Sequence, residues 1–185
     1  EWTAPQTENL TLTESFETYA PFLTDGIDPW SLYDADKART NTFGGITFPG
    51  NGSAYAYTVF NCDGTTHGMD DATMARFKER FGGRTGEQAM MSFGNVGDAA
   101  NGNNDWIISP ELSGKAQNVT FYIKAPQCDG QNYGAEDFYV AYSTTDREAN
   151  HFTEVLTDKV DSNIDWKKVS VSLPEGAKYF AIVHT

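Results

Sequence analysis

At 185 residues the chain is long enough for one domain with a fully closed core. Its formal net charge of −13 repels phosphate backbones and argues against nucleic acid as a partner, and no run of residues is long and apolar enough to span a bilayer. Only 21% of the residues are charged while 14% are aromatic, which excludes a disordered chain and favours strands, where flat rings pack on a pleated face.

The amino terminus, Glu1-Trp2-Thr3-Ala4-Pro5, has neither a basic n-region nor an apolar h-region, so it reads as the start left by a removed or trimmed signal segment. Leu10 and Leu12 open a first strand running to Phe16, and an acidic loop with Asp25, Asp28, Asp34 and Asp36 follows around Trp30 and Tyr33. Residues 54–60 read as a strand whose large side chains are Tyr55, Tyr57 and Val59. Asp70 and Asp71 cap a helix to Phe81, with Met74, Phe77 and Phe81 on one stripe, Lys78 and Arg80 near its end and Gly82 as the stop. Trp106, Ile107 and Ile108 form a short buried strand cut off by Ser109-Pro110. Three alternating strands follow, with Val119, Phe121 and Ile123, then Phe138, Val140 and Tyr142, then Val169, Val171 and Leu173 each sharing a face. Residues 179–183 read as a last strand buried on both faces. Many short strands punctuated by turns predict a sandwich or jelly roll.

Catalytic signatures are missing. The chain has no Gly-x-Ser-x-Gly, no His-Glu-x-x-His and no P-loop. Cys62 and His67 lie in a polar turn without an orienting partner, and His67, His151 and His184 are not at metal-ligand spacing. Cys62 and Cys128 are compatible with one disulfide or with two free thiols. Asp34-Ala35-Asp36 runs into Lys37-Ala38-Arg39, so it is not an EF-hand, and by spacing alone these are solvated turn carboxylates. Trp30, Tyr33 and Tyr133 stand in or near loops, where rings can stack on a sugar or pack on a protein; the loop of Tyr133, residues 127–134, is rich in amides and glycine.

Three segments carry a resemblance. Glu14-Ser15-Phe16-Glu17, then Asp105-Trp106-Ile107-Ile108-Ser109-Pro110-Glu111-Leu112, then Ala177-Lys178-Tyr179-Phe180-Ala181-Ile182-Val183-His184 occur in the order found in one family. They resemble the extracellular bacterial β-sandwich adhesin domains known from gingipains, the cleaved-adhesin or choice-of-anchor J family. The resemblance spans residues 10–184 and implies an all-β jelly-roll β-sandwich, galactose-binding or MAM-like, with one short helix in a loop insertion. It implies a single domain over residues 1–185 that lacks the family's final strand, with its Asp-Asp pair, and so leaves a neighbouring edge open. It also implies structural calcium. Glu17, the acidic residue after Phe16, is the leading ligand, with Asp34 and Asp36 beside it; Glu136 at the start of a later strand marks a second site. The function so implied is a non-catalytic module of a larger secreted or cell-surface protein, from a Bacteroidetes-like bacterium, binding host protein or glycan. A glycoside hydrolase or lyase on the same scaffold and a purely structural spacer are the alternatives.

Overall fold

The computed structural model describes residues 12–97, 102–128, 131, 133–162 and 165–185. Their strands, in chain order, are β1 (Ser31–Asp34), β2 (Ile46–Thr47), β3 (Thr58–Asn61), β4 (Thr66–His67), β5 (Gln88–Met91), β6 (Asp105–Ile108), β7 (Gln117–Ile123), β8 (Glu136–Ser143), β9 (Thr153–Val160), β10 (Lys167–Leu173) and β11 (Tyr179–His184). The helix α1 (Asp71–Phe81) lies between β4 and β5.

A five-stranded antiparallel sheet, in the order β1-β6-β11-β8-β9, is the main layer. β11 is hydrogen-bonded on both sides, to β6 and to β8, so neither of its edges is open. Short ladders β7–β10 and β3–β5 cover the inner face of this sheet. The core between the layers joins Ile107, Phe138, Val140 and Phe180 to Val169, Val171 and Leu173, with Val119, Phe121 and Ile123 packed against them. These are the alternating sets expected from the sequence, and alternation is what a half-buried strand requires.

β6 is buried along its whole length because the sheet is covered on both faces. Ile107 points into the main core, while Trp106 and Ile108 point outward into a second cluster with Ala181 and Val183. There the Trp106 ring meets Tyr139 and Phe152 edge-on at 5.7 and 5.6 Å. Ser109 extends the β6–β11 ladder by one step although Pro110 follows it: its N–H donates to the Phe180 carbonyl at 2.8 Å and its hydroxyl oxygen accepts from Phe180 N–H at 3.0 Å. Ile108→Ala, at a side chain 2% exposed, is expected to cost about 2–5 kcal/mol through lost transfer energy and a cavity. An unchanged denaturant midpoint would show that β6 does not carry the core.

The helix forms where the sequence places it. The Asp70 carboxylate accepts from Thr73 N–H at 2.8 Å, and Phe77 and Phe81 are its buried side chains. Gly82 ends it without a left-handed turn: its φ is −69°, and a Cβ there would lie 2.5 Å from the Lys78 carbonyl oxygen. Close approach, not backbone handedness, is why glycine fits.

Two expected strands differ. Leu10 lies outside the described residues, and 12–16 are not a strand. The Glu14 carboxylate folds back onto Ser15 and Phe16 N–H at 2.9 and 2.6 Å, and Phe16 takes φ +64°, which breaks an extended run. Of residues 54–60 only 58–60 join a ladder, while Tyr55 and Tyr57 are buried, so neither is a surface platform. Cys62 is buried, Cys128 is exposed, and no disulfide joins the two.

Candidate functional site

Sheet register builds one corner of the molecule. Asp34, the last residue of β1, pairs with Asp105, the first of β6, and Asp105 pairs with His184, the last of β11. The turn after β1 then brings Asp36 back to β6, where its carboxylate accepts Asn104 N–H at 2.6 Å and Ala38 N–H at 2.6 Å. One carboxylate oxygen from each of Asp34, Asp36 and Asp105 lies within 4.8 Å of the others. Among the described residues no lysine or arginine forms an ion pair with any of them.

Asp105 is 4% exposed, and its carboxyl is pushed up to about 8. Burial is the main cause, and the charges of Asp36 and Asp34 add to it; hydrogen bonds from Ser92 at 3.0 Å and Asn103 at 3.2 Å oppose it. The donor set is all oxygen, which suits a hard divalent cation such as calcium. A cation there would displace the Asp105 proton and offset the repulsion among the carboxylates.

The remaining expected residues fall in different places. Glu17, expected beside Asp34 and Asp36, lies outside that group. Its carboxylate accepts the N–H of Glu87 at 3.1 Å and of Gln88 at 3.0 Å. Gly86, at φ +77°, passes so close that a Cβ would lie 2.5 Å from the Glu17 carboxyl carbon. Glu17 therefore fastens the 86–88 turn to the amino-terminal segment. Glu136 also lies outside the acidic group and is paired with His184 Nε2 at 3.2 Å. Trp30, expected on the contact surface, is 8% exposed and sits in the core. Its ring packs on Phe16 and Phe180 at 5.4 and 5.9 Å, and its Nε1–H donates to Glu14.

Tyr33 and Tyr133 are exposed, at 43% and 75%. Tyr33 lines a surface cavity of about 360 Å³, wide open to solvent and mostly polar, with Asp25, Asp34, Lys37 and Tyr55, and the Lys37 ammonium sits 5.8 Å from the Tyr33 ring centre. Tyr133 is held at its backbone, where its N–H donates to the Gln127 side chain at 2.8 Å.

Sequence reasoning missed Ser92, Asn103, Asp105 and His184. The available signal was alternation, since Asp105 stands two residues from Ile107 and so shares its inward face. His184 Nδ1 contacts Ser92 Oγ and the Asn103 amide nitrogen, both at 2.8 Å, and Nε2 faces Glu136. An amide nitrogen donates, so Nδ1 accepts and the ring proton sits on Nε2. This hydroxyl–imidazole–carboxylate row is a brace that positions Asp105.

The family model described as Cleaved Adhesin Domain matches residues 54–185. Among solved structures, the chain is similar to the K1 cleaved adhesin domain of Lys-gingipain from Porphyromonas gingivalis, at 22% identity and a TM-score of 0.58 over 94% of this chain and 86% of that one. It is also similar to the K2 domain of Lys-gingipain, at 17% identity and TM-score 0.58, and to the K3 domain from Porphyromonas gingivalis, at 19% and 0.51. Each of these two alignments covers 94% of this chain and 88% of the other. A search of curated proteins gave no match. At these identities the likeness to the solved domains is one of fold.

Proposed function

The chain belongs to the cleaved adhesin domain family, and on that premise we propose that this adhesion-type module of a larger protein is extracellular, non-catalytic and specific for a host protein or glycan. The observation that carries the reading is the Tyr33 cavity. Its volume of about 360 Å³ is at the small end for ligand sites, and it combines an exposed ring with carboxylates and a lysine. Tyr133 supplies a second exposed ring on another loop. A single module of this kind binds at about micromolar to millimolar strength and gains through avidity in a multidomain parent. The test is an array of glycans and matrix proteins with Tyr33→Ala and Tyr133→Ala as controls. Loss of binding in either variant supports the surface. Turnover of any offered glycan or peptide would sink the non-catalytic reading.

Calcium is the second part of the proposal, with Asp34, Asp36 and Asp105 as its carboxylate ligands. Bound there, the ion supplies positive charge that ties β1 and its following turn to β6. A ligand that binds only the folded state stabilises it by about 2.7 kcal/mol at 100 times Kd. For a chain of this size that corresponds to a rise in Tm of about 5–10 °C. Chelator is expected to reverse the rise, and Asp36→Asn to abolish it. A Tm indifferent to both chelator and added calcium ends the idea.

A further inference from the structure

The outward face of β7 and β10 is built from four cross-strand pairs, and the register fixes their order. Asn118 opposes Ser172, Thr120 opposes Ser170 and Tyr122 opposes Lys168. One step further the strands bring Lys124 beside Trp166, with the ammonium 4.6 Å from the ring centre. The ring of Tyr122 carries a second cation, the Arg84 guanidinium, at 3.6 Å. The polar pairs are bonded to each other, Thr120 to Ser170 at 3.0 Å and Ser172 to Asn118 at 2.7 Å, so they form a pre-ordered ladder. Two residues of strand advance about 6.7 Å, which makes the face about 20 Å long.

The charge of this face is opposite to that of the molecule. The chain carries 26 acidic and 13 basic residues, yet none of the four pairs contains a carboxylate. Among the described residues Arg84, Lys124 and Lys168 form no ion pair. Lys124 is partly buried, and burial lowers its ammonium below the usual lysine range; it also donates to the Glu79 carbonyl at 3.5 Å.

We propose that the outward β7–β10 face is a binding platform for an acidic polysaccharide, with Arg84 and Lys124, held on the Tyr122 and Trp166 rings, and Lys168 receiving carboxylate or sulfate groups. This rests on the reading of the chain as a non-catalytic binding module but uses a surface separate from the Tyr33 cavity. The hydroxyl and amide ladder meets sugar hydroxyls, and the cations select the charged chain over a neutral one.

The experiment is affinity electrophoresis of the folded protein through gels containing polygalacturonate, heparin or neutral dextran, at low and high salt. Retardation by polygalacturonate, heparin or both, but not by dextran, and weaker at high salt, is the expected result. The first polymer reports carboxylate and the second sulfate recognition. Lys168→Glu, an exposed position, is expected to weaken retention roughly tenfold, and Tyr122→Ala to weaken it with the Tm of both variants kept. No retardation by either acidic polymer, or retention undiminished in Lys168→Glu, overturns the proposal. So does equal retention of a single-stranded DNA oligonucleotide, which would mean an indiscriminate polyanion surface. If Tyr33→Ala abolishes retention and Tyr122→Ala leaves it intact, the contact belongs to the cavity and this proposal alone fails. Cleavage of polygalacturonate would instead sink the non-catalytic reading.

Discussion

Truncating Phe60 to alanine is expected to destabilise the domain by about 3–5 kcal/mol, a large share of the roughly 5–15 kcal/mol that holds a domain folded. Phe60 is 1% exposed and lies at the centre of the second core, beneath α1. Its ring contacts Phe48 at 5.4 Å, Phe43 at 5.8 Å, Phe93 at 5.9 Å, Phe22 at 6.0 Å and Phe77 at 6.3 Å, mostly edge-on. Edge-on rings add about 0.5–1.5 kcal/mol per pair beyond burial, so the hole left by alanine removes several such contacts together. Phe60→Leu keeps most of the volume and is expected to cost less than half as much. Chemical denaturation of the two variants decides it. A loss in Phe60→Ala below about 1 kcal/mol would mean that the cluster does not bind α1 to the rest of the fold.

Metal-stripped protein is expected to lose stability as the pH rises from about 4 to about 8. The sign follows from Asp105, whose folded pKa of about 8 stands above its unfolded value of about 3.9. Between those two pH values the folded state keeps a proton that the unfolded state releases, so folding is favoured below the window and penalised above it. Each unit of upward shift is worth about 1.4 kcal/mol, and the total loss is on the order of a few kcal/mol. Asp105→Asn carries no titrating proton, keeps the shape, and is expected to flatten the slope. Calcium bound at the proposed site would displace the same proton, so added calcium is expected to stabilise more strongly at pH 8 than at pH 5. Tm measured against pH for the two proteins, with chelator and with calcium, checks each step. An unchanged slope in Asp105→Asn would remove Asp105 as the cause.

What was legible in the sequence was what local pattern controls. The run of Trp106, Ile107 and Ile108 reads as buried because no alternation interrupts it, and the Asp70 cap with its phenylalanine stripe reads as a helix because 3.6-residue spacing leaves no other solution. The partners of that stripe were not legible, since Phe43 meets Phe77 and Phe81 from a distant loop and Phe60 meets Phe77 from β3. Trp30 was misplaced because a loop position between acidic residues looks wet, yet Phe16 and Phe180 close over its ring. That Glu17 holds the backbone of the 86–88 turn was not legible, because a carboxylate accepts backbone N–H groups as readily as it binds a cation. The acidic corner depended on register: Ser92 and His184 are 92 residues apart, and only the placement of β11 beside β6 brings them together. Asp34 and Asp36 were visible as candidates, while their partner Asp105 was hidden in plain view at the head of the buried strand.

The central position of β11 bears on what happens when the chain is cut. Thr144 and Thr145 are exposed in the connection between β8 and β9. A protease cutting there leaves β1 to β8 on one fragment and β9, β10 and β11 on the other. Every strand of the second fragment is hydrogen-bonded to a strand of the first: β9 to β8, β10 to β7, and β11 to both β6 and β8. β11 is thus a tongue gripped on two sides, and the bond that Phe180 N–H donates to the Ser109 hydroxyl, 71 residues away, fixes its start. The fragments stay associated without a peptide bond between them, so a nick at this point severs the backbone and leaves the domain assembled.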